Sequence, residues 1–129
     1  MCHLIDAERE DFRARIKMTI EDSQQQWPSI NPDLWAVDRR YCDRDFAKVV
    51  AEFQSERTKS VAWLKSLDQP NWYESHEHPH LGKLRAGDLL VSWVAHDQLH
   101  VRQLAKRRYE MIKRDMGDFQ FEYAGEWSG

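Results

Sequence analysis

The chain has 129 residues, of which 41% are hydrophobic and 32% charged. This length and composition predict one soluble, helix-rich domain that is large enough to bury a core. The formal net charge of −3 gives no sign that the partner is nucleic acid or an anionic membrane surface. No apolar run approaches the roughly 20 residues that span a bilayer, and the start MCHLIDAERE lacks the pattern of a secretory signal.

The cysteines give a first indication of the compartment. Cys2 and Cys42 form neither a CxxC pattern nor a disulfide framework. We therefore expect reduced thiols and a cytoplasmic protein.

Helical spacing of apolar residues predicts a first helix over residues 3 to 23. One apolar strip contains Phe12 and Ile16, and a second strip on another side contains Ala7 and Ala14. A helix that is apolar on two sides needs more than one neighbour. This helix begins almost at the first residue, with no cap or lead-in.

Residues 22 to 43 interrupt the helical pattern, and we expect them to form a long, ordered crossover. Pro28 and Pro32 punctuate this stretch, and Asn31 followed by Pro32 predicts the start of a short helical turn. The apolar side chains expected to be buried here are Trp27, Leu34, Trp35 and Val37.

A second long helix is predicted from about Asp43, as the N-cap, to about Leu67. Arg57 stands in the middle of its apolar stripe. It is either a surface arginine or a buried cation placed to meet a substrate anion or Glu8. The stripe itself consists of Phe46, Val50, Phe53, Val61 and Leu64.

Residues 68 to 87 are predicted to connect this helix to the last long helix, and they contain three histidines, His76, His78 and His80. The last helix opens at Asp88 or at the preceding Ala–Gly pair and runs to about Asp115. The aromatic residues of the tail alternate with polar ones, so we expect it to lie extended against the helices. The inward face of the last helix is predicted to contain Leu89, Trp93, His96, His100, Gln103 or Leu104, Arg107 and Met111.

His96 and His100 are the strongest chemical signal in the sequence. They stand four residues apart, so on a helix they share a face and can bind one divalent ion. The alternative is a pair of core histidines that are hydrogen-bonded to neighbours. Asp97 and Gln103 could fix the tautomers of the two rings. No Glu follows the first histidine, so this is not the HExxH motif of metalloproteases.

A two-histidine site needs a further ligand. The candidates are His3 and the histidines of residues 76 to 80. His3 lies roughly opposite Phe12 on an ideal helix, so it faces a bundle interior only if the small-residue strip does. Spacing alone leaves this choice open.

The segments HLIDAERxDFxxRI, ERxxxVxWLxxL and HLGxLxxGDLLxxWVxHDxxHxRQL together resemble the DinB-like superfamily of metal-binding four-helix bundles. The resemblance covers nearly the whole chain, from His3 to about Trp127. It implies an all-α, up-down helical bundle with a long crossover connection. It also implies that His3, His96 and His100 hold a divalent metal: zinc, nickel, iron or manganese.

The family's first helix, which normally precedes HLIDAE, has no counterpart in this sequence. Three sources could cover its place: a second copy of the chain, a rearranged crossover, or residues lost at a late start site. We favour the second copy and so predict a homodimer.

The resemblance implies two kinds of activity on a small-molecule substrate. Some relatives look like transferases or isomerases that depend on a low-molecular-weight thiol, and others look like metal-dependent hydrolases. Trp93 is the candidate pocket wall, Arg57 the candidate anion contact and Glu8 the nearest candidate base. The competing hypothesis is a non-catalytic helical homodimer with structural histidines or a structural metal.

Overall fold

The computed structural model describes residues 1 to 128. It is predominantly helical, which confirms the predicted all-α class. Residues 1 to 91 form one compact unit, and the residues from 92 onward form a second. No helix of the described residues is long and apolar enough to cross a membrane.

The first helical stretch has three parts: α1 (Cys2–Asp6), a π-helical segment (Ala7–Phe12) and α2 (Arg13–Glu21). The wider π-helical turn was not predicted, because periodicity assumes a uniform α-helical register. Residues 4 to 8 are all buried, so neighbours cover this stretch on more than one side, as the two apolar strips indicated.

The crossover contains a short helix, α3 (Pro32–Asp38), with Asn31 at its N-cap and Pro32 in its first turn, as predicted. Trp35 is buried and Trp27 is half-buried. The predicted burial of Leu34 and Val37 is wrong, because both side chains are at least half exposed. A short 3₁₀ turn (Tyr41–Asp43) then leads to the next helix.

Helix α4 (Phe46–Ser66) is capped by Asp45, whose side chain accepts a hydrogen bond from the backbone N–H of Lys48. The predicted N-cap at Asp43 is therefore two residues too early. The predicted stripe is also partly wrong, since Phe46 and Val61 are exposed. The buried residues of α4 are instead Val49, Glu56 and Ser60.

Residues 68 to 87 contain a β-hairpin that the sequence analysis did not predict. Strands β1 (Ser75–His78) and β2 (Gly82–Arg85) pair antiparallel, with His76 opposite Leu84 and His78 opposite Gly82. Gly82 has a φ of +69°, a left-handed conformation that suits glycine at the exit of the turn.

Helix α5 (Ala86–Asp115) begins in the first unit, continues through the second and has the predicted bounds. Leu89 and Trp93 are buried as expected, whereas Leu104 and Met111 of the predicted inward face are about half exposed. The tail is not a strand: it contains a 3₁₀ turn (Glu122–Ala124), and Phe121 and Trp127 both pack against Tyr109.

Candidate metal centre

His96 and His100 lie one turn apart on α5, and both are half-buried. The residues after Gly87 contain neither glycine nor proline until the helix ends, so its register carries through both positions. The ring centroids are 4.4 Å apart with the planes at 75°. The two Nε2 atoms are 3.1 Å apart, so both rings direct the same nitrogen to one point.

This Nε2–Nε2 distance fits a shared metal ion. Two nitrogens that each lie about 2.1 Å from an ion are roughly 3.0 Å apart at a right angle and roughly 3.4 Å apart at the tetrahedral angle. The same 3.1 Å also suits an N–H···N hydrogen bond between the rings. The pair can therefore be stabilised in either way.

His3 occupies the first turn of α1 and is half-buried. The residues around it, Cys2, Leu4 and Ile5, are buried, which fixes this turn although it lies at the start of the chain. The ring of His3 is tilted against Trp35 of α3, with centroids 5.8 Å apart.

His3, His96 and His100 form a group that could hold a metal ion. Each offers one ring nitrogen, and these three atoms lie within 4.8 Å of one another. Neutral imidazole nitrogens are good ligands for zinc, nickel, iron and copper. Three such donors leave at least one coordination position open, as in catalytic zinc sites. Among the residues that the structure describes, this is the one such group.

The hairpin histidines are bonded within their own part of the fold instead. His76 stacks on Trp27 at 4.1 Å, and its Nδ1 donates to the backbone carbonyl of Ser23 at 3.0 Å. Nδ1 of His78 accepts from the backbone N–H groups of His80 and Leu81, 3.2 Å away in each case. Burial, aided by the charge of Arg15, lowers the pKa of His78, which favours this neutral acceptor form.

Glu8 lies in the π-helical segment, and its side chain is fully buried. It accepts hydrogen bonds from Nε of Arg57 and from the hydroxyl of Ser60 on α4. Arg13 donates in turn to the Ser60 oxygen at 3.1 Å. Arg57 therefore meets Glu8, which was one of the two possibilities left open for it. The role of Glu8 as the candidate base stays a prediction.

The other predicted site residues lie on α5. Trp93 is buried and precedes His96 by three residues, on the same side of the helix. Asp97 is half-buried, whereas Gln103 is exposed. The roles proposed for Asp97 and Gln103 in fixing the ring tautomers stay predictions.

Two buried acidic residues, Glu56 and Asp6, were missed by the sequence analysis. Glu56 of α4 accepts from Arg9 and Arg13 at 3.0 Å and from Lys59 at 2.7 Å. These donors, Arg9 first, lower the pKa of Glu56 from 4.5 to about 2. The available signal was the absence of an apolar residue at position 56, where the buried face of α4 continues from Val49.

Asp6 is the second of these residues, and it accepts from the hydroxyl of Tyr41 and from Arg39 at 2.9 Å. Burial, reinforced by this bond to Asp6, raises the pKa of Tyr41. Asp6 thus attaches the residues that follow α3 to the turn that contains His3.

The helical fold and the three-histidine group together define a helical protein with a potential metal centre. The family model of the DinB superfamily matches residues 1–104, and the chain belongs to this superfamily. The matched residues include the whole three-histidine group. A comparison with curated proteins gave no match.

Proposed function

We propose that this protein is a metal-dependent enzyme in which His3, His96 and His100 hold a divalent ion. The observation that carries the proposal is the convergence of three ring nitrogens within 4.8 Å. A superfamily alone does not define an activity, so the proposal depends on this group of donors. Zinc, nickel, iron and manganese are all compatible with it, and availability in the cell would decide between them.

The proposed chemistry is thiol-dependent transfer or hydrolysis on a small molecule. A divalent ion, when bound, supplies the Lewis acidity that lowers the pKa of a coordinated thiol or water. Buried Trp93 would form an apolar wall beside the histidines and exclude water from the reacting groups. Arg57, fixed through its Nε by Glu8, would present a positioned positive charge to an anionic substrate. We also propose a cytoplasmic homodimer as its working state.

The competing function is a non-catalytic helical protein with structural histidines. The observation that favours it is the Nε2–Nε2 distance of 3.1 Å, at which His96 and His100 can satisfy each other by a hydrogen bond. A metal that only holds the helices together is the related alternative.

Metal analysis of protein purified without a histidine tag tests the proposal first. We expect about one divalent ion per chain and a loss of thermal stability on chelation. His100→Ala should weaken metal binding more than tenfold, because it removes one of three ligands. The matched control is His80→Ala on the hairpin, which should bind metal like the wild type. Metal-free protein with unchanged stability on chelation would refute the metalloenzyme, and normal metal binding by His100→Ala would refute the ligand set.

The reaction class is tested by turnover of an electrophilic substrate with and without a low-molecular-weight thiol. A transferase should require the thiol, whereas turnover that is independent of thiol would point to hydrolysis. If the metal-loaded protein turns over neither type of substrate, the structural-metal alternative gains support.

A further inference from the structure

Helix α5 carries a second apolar stripe that the metal centre does not use. Its residues repeat with spacings of three and four, the a and d positions of a heptad. Its large apolar members Val94, Val101 and Ile112 are 54–57% exposed. From Val94 onward the stripe consists of Val94, Gln98, Val101, Ala105, Arg108 and Ile112.

The large apolar residues of the stripe expose about half of the area that one partner buries in a standard dimer interface. The four large apolar residues of the stripe, Val91, Val94, Val101 and Ile112, are 54–69% exposed. At these exposures each contributes on the order of 100 Å², so the four supply about 400 Å² of the roughly 800 Å² that each partner buries in a standard interface. Ala105 and the aliphatic parts of Gln98 and Arg108, which are all exposed, add to this area.

The order of residues in the stripe is self-complementary when two copies run antiparallel. In that arrangement a positions meet d positions, so Gln98 packs against Val101 of the second copy and Val94 packs against Ala105. The larger side chain of Val94 thus packs against the smaller side chain of Ala105 in the second copy. The heptad spacing also extends three residues towards the N-terminus, to Val91, which would pack against Arg108 of the second copy.

Arg108 decides between the antiparallel and parallel arrangements. In a parallel pair the two copies of Arg108 would meet each other in one layer, and the like charges would repel. In the antiparallel pair each Arg108 lies against Val91, where its aliphatic stem covers apolar surface while its guanidinium reaches water.

We propose that a second copy of this chain packs antiparallel on this stripe of α5. The inference goes beyond the proposed metal chemistry, and it gives the predicted homodimer a defined surface and register. The dyad then lies level with the residues between Gln98 and Val101.

Sedimentation velocity at micromolar concentrations tests the association. The wild type should sediment at twice the mass of the 15.4 kDa chain. Val101→Lys should shift the dissociation constant at least tenfold, because it places a charge in both copies of a central layer. Leu99→Lys is the matched control: Leu99 is also 57% exposed, but it lies on another side of the helix, and this variant should remain dimeric. A monomeric wild type, or equal effects of the two variants, would overturn the proposal.

Cysteine crosslinking tests the register without depending on the stability of the lysine variants. In a chain with Cys2→Ser and Cys42→Ser, a mixture of Val94→Cys and Ala105→Cys copies should form a disulfide between unlike chains. Val94→Cys alone should crosslink much less. Efficient crosslinking of Val94→Cys to itself would indicate a parallel pair and refute the register. Absence of both crosslinks would place the interface elsewhere. Neither outcome depends on metal content, which is measured separately.

Discussion

At the scale of single residues, the first unit depends on acidic side chains that are surrounded by arginines. Glu56 is the clearest case, because its side chain is only 4% exposed and receives hydrogen bonds from Arg9, Arg13 and Lys59. Its charge joins α4 to the π-helical segment and to α2. Removal of such an acceptor leaves several donors without their partner, which costs more than the loss of one surface ion pair.

Glu56→Gln should therefore lower the free energy of unfolding by about 1–3 kcal/mol at pH 7. The pKa of Glu56 is lowered to about 2 in the folded protein, so the stabilisation is present above about pH 4.5 and is lost as the pH falls toward 2. The difference between wild type and variant should shrink in urea titrations from pH 7 to pH 3. Glu110→Gln, which breaks the exposed pair with Arg107, should cost less than about 0.5 kcal/mol. A difference that stays constant with pH would show that the carboxylate charge is not its source.

At the scale of elements, the long regular helices could be predicted from the sequence, and the irregular segments could not. The bounds of α5 follow from its long apolar periodicity and from the Ala–Gly pair at its start. The hairpin was missed because its strands have only four residues each and neither contains a β-branched residue. The burial of Glu56 and Ser60 depends on arginines distant in sequence, which periodicity does not detect.

The same limit applies to the candidate site. Spacing could identify His96 and His100, because a helix places residues four apart on one face. It could not choose His3, since the π-helical segment and the contact with Trp35 depend on tertiary packing. Resemblance to a family supplied that choice. The three histidines offer ring nitrogens within 4.8 Å of one another, and their role as the ligand set stays a prediction.

Among the contacts between elements, those of His76 are expected to hold the hairpin against residues 23–30. Its stacking on Trp27 and its hydrogen bond to Ser23 join the hairpin to residues 23–30. His76→Ala should remove both contacts and accelerate amide hydrogen exchange in residues 23–30 by at least tenfold, because local opening becomes easier. His80→Ala, at an exposed position of the same hairpin, should leave this exchange unchanged. Equal protection in both variants would mean that other contacts order these residues.

At the scale of the whole molecule, α5 would serve two separate purposes. Successive residues of an α-helix are about 100° apart, so the centre of the apolar stripe lies roughly 140° around the helix from the two histidines. One side of α5 would hold the metal while another side holds the second copy. Neither side requires a residue of the other, so the two functions can be separated by mutation.

If the two sides of α5 act independently, the variant that loses metal should keep its dimer, and the variant that loses the dimer should keep its metal. His100→Ala should lose metal but remain dimeric, because His100 is not part of the stripe. Val101→Lys should become monomeric but still bind about one ion per chain, because all three proposed ligands belong to the same chain. Metal content and sedimentation velocity on both variants check this. If Val101→Lys lost its metal while its helicity and thermal stability were retained, the metal centre would depend on the dimer, and the independence of the two sides of α5 would be refuted.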